Sequence, residues 1–179
     1  MNIRLQSVLQ SQEGWGQQQG RLARARLEAL IAPSPLEQVI KISLVGITRT
    51  DVPFARSAVV ELAMYERLRR GFCLIEVSDV DILDNWDAAA ERSQQPLLVW
   101  FPDGSFRLLG PQPSIGVRTT LDYLLAHSSV CSHEVARALR LSLSNASNKL
   151  NFLLQAGYVL RRERINSDGR KEYEYFRIG

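Results

Sequence analysis

The spacing of apolar residues changes abruptly at Gly157. Before it, "LSNASNKLNFLLQA" (Leu143–Ala156) repeats Leu143, Ala146, Leu150, Leu153 and Leu154 at three-and-four spacing, which gives a helix one inward face. After it, "YVLRRERI" and "RKEYEYFRI" alternate apolar and polar residues around "NSDG", the pattern of two strands joined by a tight turn at Asp168 and Gly169. A glycine at this junction takes the left-handed conformation that ends many helices, so the helix stops and a ribbon begins.

The same reading extends upstream. Thr119, with Asp122 three places later, has the form of a capping box, and Leu121, Leu124 and Leu125 follow as an inward stripe. Ser132 is a cap for "HEVARALRL", in which Val135, Ala136 and Leu139 share a face, and Ser142 caps the third helix. Residues 117–179 therefore run helix, helix, helix, hairpin. The outward face of the third helix is unusual: Ser144, Asn145, Asn148, Lys149, Asn151 and Phe152.

The run from "SHEVARALRLS" through "SNASNKLNFLLQAGYVLRRE" to the hairpin resembles the winged helix-turn-helix domains of MarR-type and ArsR-type transcription factors, over the whole of residues 117–179. Ser147, Leu150, Leu153, Gly157, Tyr158 and Val159 approximate the way the recognition helix of those families ends. The resemblance implies an α+β winged helix that binds double-stranded DNA, and a homodimer, because such sites are often two-fold repeats. In a helix-turn-helix the start of the second helix enters the major groove, where amide side chains pair with base edges. Asn145, Asn148 and Lys149 are the expected reading residues. Ser142 and Ser144, beside free N–H groups at the helix start, suit a phosphate. On the ribbon, Arg162 and Arg164 share one face and Arg161 takes the other. Arg170 and Lys171 at the tip are expected to reach the minor groove or the backbone. Glu163, Glu172 and Glu174 offer the competing reading, cross-strand partners that neutralise those cations.

The first part of the chain has another rhythm. Residues 1–20, rich in Gln, Ser and Gly, show little periodicity and read as a flexible arm. Leu22, Ala23, Leu27, Leu30 and Ile31 then mark a short amphipathic helix that "APSP" ends. "VIKISLVGI" (residues 39–47) alternates as a half-buried strand, while "FCLIEV" (residues 72–77) is almost continuously apolar and suits a strand covered on both faces. Between them Asp51 caps a helix with Pro53 in its first turn and a stripe of Phe54, Ala58, Val59, Leu62 and Tyr65. A helix around "DNWDAAAERS" leads to "LLVWF", which "PDGS" joins to "FRLLG" as a hairpin. Strands alternating with helices predict a small α/β domain with a mixed sheet over residues 21–110, and "PQPSIG" (residues 111–116) reads as a linker.

"GRLARARLEAL", "VIKISLVGI", "DVPFARSAVVELA" and "NWDAAAERS" together look like the STAS-like domains of bacterial regulators, over roughly residues 14–110, with Phe54 and Ala55 matching the aromatic and small residues that open the family's helix. Arg56 and Ser57 stand where acidic residues are common in that family. The likeness implies a sensing or protein-interaction module without catalysis, in which Thr48 or Thr50 would be the analogue of a regulatory hydroxyl; a turn role is the simpler account of both.

Charge follows the same division. Residues 117–179 hold ten Lys and Arg against six Asp and Glu, and the rest of the chain twelve against thirteen. The positive excess thus lies where phosphates would be met. With 45% hydrophobic and 23% charged residues, no stretch long enough to span a bilayer and no secretory leader at the start, a globular cytoplasmic protein is expected. Cys73 and Cys131 are read as reduced. Cys131, His133 and Glu134 invite a metal site, but with only Cys73 and His127 to complete it, no metal and no cofactor are expected. Asp79, Asp81, Asp84 and Asp87 are read first as turn and helix-start residues.

The leading expectation is a sequence-specific DNA-binding transcriptional regulator, not an enzyme, whose α/β domain senses, dimerises or binds a partner protein. Two alternatives stay open: an adaptor that uses the winged helix for docking, and an enzyme or toxin built on the acidic cluster Asp79–Asp87.

Overall fold

Short apolar segments build the first sheet. The structure is a computed structural model that describes residues 1–165 and 169–179. Its five-stranded sheet has the order β1 (Asn2–Arg4), β3 (Val39–Ser43), β5 (Gly71–Ile75), β6 (Leu97–Trp100), β7 (Phe106–Leu109). The first four strands pair in parallel and β7 returns antiparallel to β6, so the mixed sheet and its terminal hairpin are as the patterning predicts. A parallel pair needs a crossover, and each one here carries helix. α1 (Leu5–Leu9) and α2 (Gly16–Ile31) lie between β1 and β3. Between β3 and β5, α3 (Val52–Ala55) runs through a π turn (Arg56–Val60) into α4 (Glu61–Glu66). α5 (Leu83–Arg92) precedes β6. Ile40, Ile42, Phe72, Leu74, Leu97 and Val99 meet Leu27, Phe54, Leu62 and Trp86 in one core.

Residues 1–20 are not a flexible arm. Ile3, Leu5, Val8 and Leu9 are buried, and Arg26 reaches back from α2 to donate to the Val8 carbonyl at 2.6 Å. β2 (Glu13–Gly14) pairs in parallel with β4 (Arg49–Thr50), and the Gly16 N–H donates to both carboxylate oxygens of Asp51 at 2.9–3.0 Å. Asp51 also accepts from the Phe54 N–H, so the cap seen in the sequence fastens two helix starts at once. At Gly20 a Cβ would come within 2.9 Å of the Phe54 carbonyl oxygen and of Ser57 Cβ. α2 therefore packs against α3 and the π turn at a distance that only glycine permits. Starting at Gly16 shifts the buried line of α2 to Gly20, Ala23, Leu27 and Ile31, leaving Leu22 and Leu30 exposed. Tyr65 is likewise exposed rather than part of the α3–α4 stripe.

The chain divides between Pro111 and Gln112 into two compact units. In the second, α6 spans Ile115–His127, so helix begins inside the stretch read as linker. Thr119 is then an interior residue whose hydroxyl donates to the Ile115 carbonyl, and Asp122 pairs with Arg118 at 2.8 Å instead of closing a capping box. A strand that the sequence did not reveal follows, β8 (Ser129–Cys131), and the cap of α7 (Ser132–Ala138) is Cys131, not Ser132. α8 spans Leu143–Ala156; β9 (Val159–Ile165) and β10 (Lys171–Arg177) form the ribbon, in a sheet of order β8-β10-β9. Asp168, half of the expected turn, lies outside the described residues. No helix among the described residues is long and apolar enough to cross a membrane.

Candidate nucleic-acid interface

α8 is fastened at both ends. The Ser142 hydroxyl accepts from the Asn145 N–H at 3.2 Å and so caps the first turn. At the far end Gly157 is left-handed, with φ 87°, and the Tyr158 N–H returns to the Leu153 carbonyl at 2.9 Å. That closure lets Tyr158 and Val159 enter the core as β9 begins. Ala146, Leu150, Leu153 and Leu154 are buried, whereas Leu143 is 58% exposed and leaves the expected inward stripe. At the first residue of the helix there is no preceding helical turn for its side chain to lie over.

Ser142, Ser144, Asn145, Asn148 and Asn151 are all exposed along this helix. Lys149 is different. It is half-buried, and its ammonium donates to the Gly116 carbonyl at 2.6 Å, tying α8 to the first turn of α6. Of the three expected reading residues, Asn145 and Asn148 stand on the outward surface and Lys149 serves the packing of the helices. Phe152 is 50% exposed, a large apolar group half open to solvent on this helix.

The ribbon's register sorts its charges. Arg162 lies opposite Glu174 and Arg164 opposite Glu172, while Arg161 and Glu163 face Tyr175 and Tyr173. Arg162 meets Glu174 at 2.5 Å; Arg164 meets Glu172 at 2.7 Å and Glu174 at 3.3 Å. Burial alone would raise the Glu174 carboxyl, but hydrogen bonds from Arg162 and Ser129 outweigh it and hold it below its ordinary value. Arg161 stacks its guanidinium 3.9 Å from the Tyr173 ring centre. Lys171 pairs loosely with Glu163 at 3.6 Å, and Arg170 is exposed beside it. The cross-strand partners offered in the sequence are thus engaged, and Arg162 and Arg164 reach any ligand as half of an ion pair.

Between α8 and the ribbon lies a cavity of about 460 Å³, walled by Ser147, Asn148 and Asn151 on one side and Glu172, Tyr173 and Tyr175 on the other. Its floor holds Cys131 and His133. Burial pushes the Cys131 thiol up to about 11, against the pull of Arg164. Sequence spacing offered Glu134 as the acid of this group, yet Glu134 accepts from the Cys131 N–H at 2.6 Å as part of the cap. The acid that does approach is Glu172, from the ribbon.

In the first unit the acidic cluster is dispersed among structural tasks. Asp79 caps the turn at Val80–Ile82, Asp84 pairs with Arg107 at 3.3 Å, and Asp87 accepts from the Gly110 N–H at 2.6 Å. Asp79 and Asp81 also line a cavity of about 360 Å³ with Trp15, Arg49 and Asn85. Thr48 donates to the Gln12 carbonyl, and Thr50 is buried in β4 with no partner for its hydroxyl among the described residues. Comparison of the sequence with protein-family models and with curated proteins gave no match to either.

Proposed function

We propose that residues 112–178 form a winged helix that binds duplex DNA, within a transcriptional regulator that acts as a homodimer. The observation that carries this reading is the outward surface of α8: Ser142, Ser144, Asn145 and Asn148 are exposed together at the start of the helix, the end that favours an anion. Asn145 and Asn148 take base edges; Ser142 and Ser144 take a phosphate; Arg170 and Lys171, with Arg162 and Arg164, supply positive charge from the ribbon. The first unit, in this reading, is a STAS-like module for sensing, partner binding or dimerisation.

The test is a titration of the purified protein against the DNA upstream of its own gene, at rising salt. Affinity should fall by about tenfold or more between about 50 and 200 mM salt, because phosphate contacts release counterions. Asn145→Ala and Asn148→Ala should each weaken binding by about tenfold and relax the sequence preference, since a good amide-to-base pair discriminates by about 1–3 kcal/mol. Binding that is indifferent to salt and to DNA sequence would reject the regulator reading; selective binding with both variants unaffected would reject α8 as the reading element.

A second reading has its own observation. Arg162 and Arg164 are already neutralised, and Leu143 and Phe152 are half-exposed apolar groups on the same helix, which is chemistry suited to an adaptor that docks a protein. Loss of partner capture, but not of DNA binding, in a Phe152→Ser variant would favour it.

A further inference from the structure

We infer that Cys131, His133 and Glu172 form a binding site for one divalent cation of the zinc class. One ligand atom from each, the thiol sulfur, a ring nitrogen and a carboxylate oxygen, lies within 4.8 Å of the other two. They come from three elements. Cys131 ends β8, His133 sits in the first turn of α7, and Glu172 projects from β10, so the grouping is a product of the fold and not of local sequence. Glu172 and His133 already touch at 3.6 Å.

Three carboxylates, Glu134, Glu172 and Glu174, lie near the Cys131 thiol together with one guanidinium, Arg164, whose effect on it is the strongest of the four. Sulfur, imidazole and carboxylate are the donors zinc takes, and three protein ligands leave a fourth position for water or a ligand from the cavity. His133 is 54% exposed on its side chain, and the cavity gives a path for entry. Bonds of about 2.0–2.3 Å require the three atoms to draw closer together than they stand here. Rotation of His133 and release of Glu172 from Arg164 supply that movement. On binding, Cys131 gives its proton to solvent, His133 is neutral, and Glu172 exchanges a guanidinium for the metal.

This site would tie β10 to the start of α7, beneath the amide surface of α8, but its existence does not depend on what α8 binds. The probe is cobalt(II) added to the full chain without DNA. One equivalent should bind, with the near-ultraviolet band of a cobalt–thiolate bond, and zinc should displace it. His133→Ala and Glu172→Gln should weaken binding by about tenfold or more. Cys131→Ser should abolish the band. Since Cys131 is buried and its variant risks misfolding, the exposed His133 variant, checked by circular dichroism, bears the decision; His127→Ala is the control. Absence of the band in the parent protein, or unchanged affinity in folded His133→Ala, overturns the inference.

Discussion

The two units spend their polar side chains differently. In Met1–Pro111 the notable polar groups are absorbed by construction: Asp51 fastens two helix starts, Asp79 caps a turn, Asp84 holds Arg107, and Asp87 holds the end of β7. In Gln112–Ile178 a whole helix face of Ser and Asn is left to solvent while the cations around it are paired. Polarity that closes hydrogen bonds at home marks a frame; polarity held out on a rigid element marks a surface awaiting a partner.

Substitutions test that contrast by the size of their effects. Trp86→Ala, at the centre of the first core, should cost about 3–5 kcal/mol in a denaturant melt, and a loss well under that range would mean the core tolerates collapse around the gap. Gly20→Ala should cost about 1–3 kcal/mol by forcing α2 from Phe54 and Ser57. If it is neutral or stabilising, the opening segment is held less tightly than its packing implies. In the second unit Thr120 is buried with no partner for its hydroxyl among the described residues, so Thr120→Val should stabilise by about 1 kcal/mol. A destabilised Thr120→Val would show that the hydroxyl has a use.

Acid separates the units in another way. The carboxyl of Glu174 is depressed in the fold, so its stabilising effect is complete above its ordinary value of 4.5 and is lost as pH falls below that through the lower, folded value. Protection of the β9 and β10 amides, corrected for the intrinsic exchange rate at each pH, should therefore fall as pH drops below about 4.5, and Glu174→Gln should remove that dependence. Smallest of all, Asn145→Ala and Asn148→Ala should shift the melt by no more than about 0.5 kcal/mol while altering DNA binding. A large stability loss in either would move that residue from the surface to the frame.

What the sequence disclosed depended on whether a signal was local. Three-and-four spacing at Ala146–Leu154 and alternation in Ile40–Leu44 are written within a few residues, so α8, β3 and the ribbon were legible, as was the opposition of Arg162 and Arg164 to glutamates. Residues 1–20 were misread because their order comes from partners far along the chain: Ile3 pairs with Ile42, Gly14 with Thr50, and Gly20 packs under Phe54. β8 is three residues long and exists because β10 lies beside it. Lys149 looked like a DNA contact because nothing nearby in sequence claims it; its acceptor is Gly116, on another helix. Glu172 joined Cys131 and His133 for the same reason, through a register that only the folded ribbon sets.

The order β8-β10-β9 leaves β9 at the margin of its sheet, with one row of backbone donors and acceptors unclaimed by β10. Such a margin invites a strand from another copy, and repeated pairing of that kind leads to fibrils. Arg161, Arg162, Glu163 and Arg164 put a charged side chain at each of four successive positions along it, and a copy brought edge to edge would strip water from those charges, paired or not. The arginines of β9 thus guard solubility whatever else they touch, and a variant that replaces all three with apolar residues should aggregate before it unfolds.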